Sequence, residues 1–387
     1  MGSVKQNRLA RCAGFVLIAI LWVAPSIPAA APPVSRLTVP NQGICPDGAV
    51  SAKGTIEEVY ARNSNAFFVQ SDDGGHTFSK PVRLNRVAGS VLAGHERGPK
   101  IAMTANGALH VIWMDTKSQD LEYTRRPPHE TSFTAPVNLR APGAHLDGAA
   151  IAAEERHRIL IAWLDSRLPE DPRNPLSLPI FVRWSQDDGK DFIPSRPLGS
   201  GSLLRACSCC SLHAVASGAD VFDVAFRGAY ANIRDPWLAK VQVAAKPPVA
   251  QAAWVRTQAA RVADQRWNFP GCPMAGPSIA RGPKPHQIWV AWYSNGRVFY
   301  AHSFDGGAHF SAPSSPAANG KQPQNHPVIV VNQSGSVLLA WEEGQDVYWQ
   351  LLGNNGKVKS SGRAGTLPPN SKAAAFADAH GKFFLVF

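Results

Sequence analysis

Ser71-Asp72-Asp73-Gly74-Gly75-His76-Thr77-Phe78 recurs as Ser185-Gln186-Asp187-Asp188-Gly189-Lys190-Asp191-Phe192, and again as Ser303-Phe304-Asp305-Gly306-Gly307-Ala308-His309-Phe310. The shared pattern is Ser-x-Asp-x-Gly-x-x-Phe, and the copies begin 114 and 118 residues apart. Near-equal spacing over that distance is the signature of a repeat architecture. Locally the pattern describes a hairpin turn. The Asp accepts backbone N–H bonds, the Gly supplies positive φ, and the Phe re-enters an apolar layer. Those are structural tasks, so Asp73, Gly75, Asp187, Gly189, Asp305 and Gly307 are assigned to the scaffold.

A second repeat lies between the turns. Apolar runs ending in an aromatic residue occur as Val111-Ile112-Trp113, Ile161-Ala162-Trp163, Val224-Ala225-Phe226, Val290-Ala291-Trp292 and Leu339-Ala340-Trp341. Their spacing of roughly 50 to 65 residues suits four short strands plus loops per unit. We name these runs strand B. A shorter β segment before each is strand A (100–104, 149–153, 212–216, 277–280, 327–331), and the Asp turn joins strands C and D. Blade 2 lacks the Asp and Gly but keeps Phe133-Thr134-Ala135-Pro136-Val137, which parallels Phe78-Ser79-Lys80-Pro81-Val82. Five blades fit inside 94–360. The remaining segments, 55–85 and 372–387, join as a sixth blade built from both termini, a closure that removes exposed sheet edges. The expected fold is therefore an all-β propeller of six four-stranded blades, with seven as the alternative count. Only 249–267 has helix-like Ala and Arg spacing.

The three turns resemble the Asp-box, or BNR, repeat of the sialidase-like six-bladed propellers, and the resemblance covers essentially all of 32–387. It implies the fold but no single activity, because Asp boxes occur in sialidases, other glycosidases, sorting receptors and binding propellers alike.

Lys5, Arg8 and Arg11, an apolar run from Phe15 to Ala24 and Ala29-Ala30-Ala31 read as a signal peptide over 1–31. Its apolar run is about half the roughly 20 residues that a spanning helix needs. The expected mature chain is thus exported, to periplasm or medium, and is not an integral membrane protein. Losing the leader lowers the formal charge from +11 to +8. With no basic run or Arg stripe, that charge suits an anionic small ligand rather than nucleic acid. Cys45, Cys207, Cys209, Cys210 and Cys272 remain, an odd number in a compartment that favours disulfides.

Alternating strand direction puts the D–A and B–C loops on the face opposite the Asp turns. The D–A loops carry His95, Arg97, His145, Asp147, Cys207, Cys209, Cys210, His213, Cys272, Met274 and His326. The B–C loops add Asp115, Asp165, Arg167, Arg227, Tyr230, Arg234, Tyr293 and Glu342. Titratable groups facing one funnel form a candidate binding site. For the sulfur groups two readings stand: a disulfide from Cys207, Cys209 or Cys210 to Cys272 (or between Cys209 and Cys210), or a soft-metal site with Met274 and neighbouring His for copper or zinc.

The sialidase resemblance implies no required cofactor, an arginine clamp for a sugar carboxylate, an Asp acid/base and a Tyr–Glu nucleophile pair. Matching loops offer Arg97, Arg167, Arg227 and Arg234 for the clamp and Asp115, Asp147 or Asp165 for acid/base. Tyr230 or Tyr293, with Glu342, would supply the nucleophile. The family's Phe/Tyr-Arg-Ile/Leu-Pro motif is absent; Glu96-Arg97-Gly98-Pro99 is nearest. Two functional expectations follow: a glycoside hydrolase on anionic sugars, such as an exo-α-sialidase, or a non-catalytic propeller that binds a ligand, metal or protein through the Cys/His/Met-lined funnel.

Overall fold

A computed structural model describes residues 1–2, 34–117, 120–139, 146–154, 157–199, 202–244 and 255–387. Residues 3–33, which hold nearly all of the expected leader, and His145 lie outside them. Among the described residues no helix is long and apolar enough to cross a membrane.

Seven sheets succeed one another along the chain. Blade 1 holds Ile44–Val50, Ile56–Arg62, Asn65–Ser71 and Val82–Arg83; blade 2 runs from Lys100–Met103 to Val137–Asn138. Blade 3 spans Leu146–Ala153 to Arg196–Pro197, with Arg205–Cys207 added on Ser177–Ser185. Blades 4, 5 and 6 start at His213–Gly218, Ser278–Arg281 and Gln324–Val331. Blade 7 combines Ala374–Ala377 and Phe383–Val386 with Val34–Leu37, which pairs in parallel with Phe383–Val386. The first strands pack side by side in order, and Ala374–Ala377 closes the ring against Ile44–Val50.

The count is therefore seven, not six. Segment 55–85 does not share a sheet with 372–387, because each has its own extra strand. Ile44–Val50 escapes sequence recognition because Pro46, Asp47 and Gly48 interrupt its apolar pattern. A register shift between Ile44 and Asp47 accommodates the proline. The helix-like stretch is corrected as well: Val255–Arg261 is a strand paired residue by residue with Pro236–Val243, and 249–254 lie outside the described residues.

The core is distributed between blades. Trp113, Trp163, Trp292 and Trp341 on the B strands are fully buried, and apolar clusters bridge each blade to the next, including blade 7 to blade 1. Apolar burial is thus what holds the ring closed.

The three Asp turns share one hydrogen-bond pattern. In blade 1 the Ser71 hydroxyl donates to Asp73 Oδ1 (2.8 Å) and accepts from Gly75 N (2.9 Å), while Thr77 N donates to Asp73 Oδ1. Ser185, Asp187 and Gly189, and Ser303, Asp305 and Gly307, repeat it. Donation by Thr77 and His309 respectively holds the Asp73 and Asp305 carboxyls well below the usual range. Asp188 N and Gly306 N bond to carbonyls of their own A–B turns, so the Asp turns occupy the A–B face.

Each of these turns also packs onto the preceding blade. Gly189 has φ +75, and a Cβ there would lie 1.7 Å from Tyr123 Oη, which bonds His110 Nδ1 at 2.8 Å. Gly189→Ala should cost about 2–4 kcal/mol through strain and overpacking. Urea denaturation checks this, and an unchanged midpoint would count against the packing role.

Candidate functional site

The D–A loops share a backbone feature: at or just before strand A, one residue takes left-handed φ. These are Cys45 (φ 52), His95 (φ 55), Gly148 (φ 60), Met274 (φ 49), His326 (φ 40) and Asn370 (φ 59), from six of the seven blades. Five are not glycine, and such conformations cost on the order of 1–3 kcal/mol each and gather at functional sites. Cys45 and Asn370 were not among the sequence candidates; without a glycine, nothing in the sequence marks their φ.

Cross-blade bonds pin these loops together. Asn370 O accepts from His95 N at 2.9 Å, and the Cys45 thiol lies 3.6 Å from the carbonyls of both His95 and Asn370. Glu96 is buried, and its carboxylate accepts backbone N–H groups from Ser211 and Gly276, tying blade 2 to the loops before blades 4 and 5. His326 uses both ring nitrogens, Nδ1 with Glu342 Oε2 (2.8 Å) and Nε2 with the Met274 carbonyl (3.1 Å). Only a doubly protonated imidazole can donate both bonds. Burial opposes that charge, but the bond to Glu342, its charge and that of Glu96 raise the His326 pKa to about 9.

Each of the four candidate clamp arginines has partners within the protein. Arg97 forms a two-pronged pair with Asp147, Nε to Oδ1 at 2.9 Å. Arg167 pairs with Asp165, bonds Ser195 and stacks 4.3 Å over Phe181; Asp165 also accepts from Trp163 Nε1 at 2.8 Å. Arg227 is fully buried and donates only to backbone carbonyls: Ala275, Arg234 and Tyr293. Arg234, equally buried, bonds the Phe269 carbonyl through Nε and leaves Nη1 and Nη2 unpartnered. Of the other candidates, Asp115 is nearly buried and caps Lys117 N, and Tyr230 is 68% exposed.

Two spaces open among these groups. A cleft of about 320 Å³ is lined by His95, Tyr293, Asn325, His326, Glu342 and Asn370. Tyr293 is held there edge-on to Trp267, 5.3 Å away. The central channel, about 520 Å³, is lined by all seven first strands and contains Asp47, Lys100, His213 and Lys372. Burial, then the charge of Lys372, lowers the Lys100 pKa to about 7. His213 accepts from Ile279 N through Nδ1 (3.1 Å), and burial with the two lysines pushes its pKa down to about 3.

The cysteines gather at one edge of the funnel. Cys209 pairs with Cys272, Cα atoms 6.3 Å apart, while Cys207 and Cys210 are buried thiols beside them. Among the described residues Cys45 is the other free thiol, away in blade 1. Cys207 and Cys210 have C-x-x-C spacing, a signal that sequence reading passed over.

No family model and no curated protein matches the chain. Solved structures do match in fold. A polysaccharide lyase, an ulvan lyase, superposes with TM-score 0.52 at 10% identity, covering 88% of each chain. The fucose-specific lectin from Aleuria aurantia gives 0.51 at 11% identity, covering 85% of this chain and 96% of the lectin. The chain has a propeller fold. The NanB sialidase from Streptococcus pneumoniae aligns at 11% identity over 89% of this chain and 64% of its own, with TM-score 0.42, too low to bear on the sialidase resemblance.

Proposed function

We propose that the protein is an exported, carbohydrate-active propeller that takes an anionic sugar into the cleft between His95, Tyr293, Asn325 and Glu342. The observation that carries this reading is that Tyr293 and Glu342, a candidate nucleophile and its activator, line the same cleft. His326, held doubly protonated, lines the cleft, which suits an acidic sugar. That the similar folds include a polysaccharide lyase and a fucose-specific lectin is consistent with this class of ligand.

In the hydrolytic version, Tyr293 Oη attacks the anomeric carbon as Glu342 takes the phenolic proton. The glycosidic C–O bond breaks and the aglycone oxygen takes a proton from solvent, after which water displaces Tyr293 from the anomeric carbon and Glu342 returns the phenolic proton. A tyrosine nucleophile avoids the repulsion that a carboxylate would meet from an anionic sugar. The candidate arginines already have partners within the protein, so His326 would carry the task of meeting the sugar's charge. A panel of sialylated, uronate-bearing and neutral oligosaccharides tests the proposal by turnover and calorimetric binding. Acidic sugars should bind and neutral ones should not. Turnover should fall by about 100-fold or more in Tyr293→Phe and Glu342→Gln, with the fold retained. Binding without turnover would leave a lectin-like function, and indifference to every acidic sugar would remove the reading.

A further inference from the structure

Four cysteines from two loops meet at the funnel edge, and sugar recognition uses none of them. The Sγ atoms of Cys207, Cys209 and Cys272 all lie within 4.8 Å of one another, with Cys207 and Cys209 3.8 Å apart. Cys210 belongs to the same buried cluster. Its N–H donates to the Cys207 carbonyl at 3.3 Å, closing a tight turn that carries both thiols.

We propose that these cysteines, once the Cys209–Cys272 disulfide is reduced, form a closed site for one thiophilic d10 cation, zinc(II) or copper(I). The spacing fits: zinc–sulfur bonds of about 2.3 Å in a tetrahedron put sulfurs about 3.8 Å apart. Sulfur ligation selects copper(I) and zinc over hard cations. Burial of Cys207 and Cys210 gives the water-excluding surroundings of a structural metal site.

An independent observation concerns charge. Arg234 is fully buried with both terminal nitrogens unpartnered, within electrostatic reach of Cys207, and Arg227 also acts on that thiol. A buried cation without a partner is costly unless an anion accompanies it. A zinc ion on four thiolates carries two negative charges, and so does copper(I) on three. Either cluster would carry charge opposite to that of the two guanidiniums. The unpartnered Nη1 and Nη2 of Arg234 would then act as outer-shell donors that orient and tune the metal ligands.

Metal and disulfide exclude one another. A dithiol gives two electrons and two protons to the Cys209–Cys272 bond and becomes a disulfide, whereas a phosphine gives the two electrons and becomes its oxide while water supplies the oxygen and both protons; either leaves two thiols. The cation then binds as the thiol protons leave to solvent. Loading is consequently a redox-gated event, oxidation favouring the disulfide and reduction the metal.

The test uses the whole mature chain, reduced with tris(2-carboxyethyl)phosphine and desalted without air. It is titrated with zinc(II) and, separately, with copper(I) against chromophoric chelators, and bound metal is counted by mass spectrometry. One equivalent of at least one cation should be retained, and the arm that retains it identifies the occupant. Loading should protect the four cysteines from alkylation. Cys207→Ser should weaken binding by about 100-fold. Cys45→Ser, whose thiol sits apart in blade 1, should keep the full complement. Retention of neither cation would overturn the proposal, as would binding that leaves alkylation unchanged or is indifferent to Cys207→Ser. The protection assay on wild type stands even if a variant fails to fold.

Discussion

Arg227→Ala is expected to destabilise the protein by about 3–5 kcal/mol, comparable to removing one partner of a buried charge interaction. The guanidinium is not available to a ligand, because it is buried and spends its donors on the carbonyls of Ala275, Arg234 and Tyr293. Those carbonyls belong to blade 4 and to the two sides of blade 5, and Arg227 also stacks 5.6 Å from the Trp267 ring. Truncation would orphan three buried acceptors, each worth about 1–3 kcal/mol, and open a void beside Trp267. Chemical denaturation of wild type, Arg227→Lys and Arg227→Ala measures this, with Lys intermediate because it cannot reproduce the planar fork. Wild-type stability combined with lost sugar binding would instead put Arg227 in the binding site. An assay that scores only turnover would confuse the two.

The same residue shows where sequence reading stops. An arginine just after a B strand looks the same whether it clamps a substrate or ties off carbonyls, because the difference lies in contacts made across 48 and 66 residues of chain. Arg97 and Asp147 were singled out as separate candidates, and only the fold shows that they neutralise each other. The Asp turns were fully legible, since every bond in them runs between residues at most four apart. So were the Trp-ending strands, whose unbroken apolar runs reflect burial on both faces. The blade count was not. It depended on Ile44–Val50, a strand with a proline and a bulge, and on Val34–Leu37, a short parallel partner whose pairing is set by closure of the ring. The funnel's place on the face away from the Asp turns followed from strand alternation alone, whereas the left-handed residues at its rim followed from nothing local.

A second large effect is expected from a residue that no motif marks. Glu58 lies in Ile56–Arg62, opposite Gly48 and Val69, fully buried with both carboxylate oxygens unpartnered. Burial alone raises its pKa from 4.5 to about 8, so the folded protein holds a neutral carboxyl at neutral pH. Because the folded pKa lies above the unfolded one, the folded state binds the extra proton. Its contribution to stability is intact below pH 4.5 and is lost progressively as pH rises through about 8. The accumulated loss by pH 9 is about 4–5 kcal/mol. His326, with a folded pKa also raised, acts in the same direction up to about pH 9, while Lys100, lowered to about 7, opposes both above pH 7. These contributions are common to wild type and Glu58→Gln, so the comparison between the two isolates Glu58. At pH 5 the denaturation midpoints should nearly coincide, because a protonated Glu and a Gln are both neutral and nearly isosteric. At pH 9 the variant should be the more stable by most of that 4–5 kcal/mol. A gap that stays constant from pH 5 to pH 9 would mean that Glu58 titrates normally, and hence that the blade 1 interior admits water or a counter-charge.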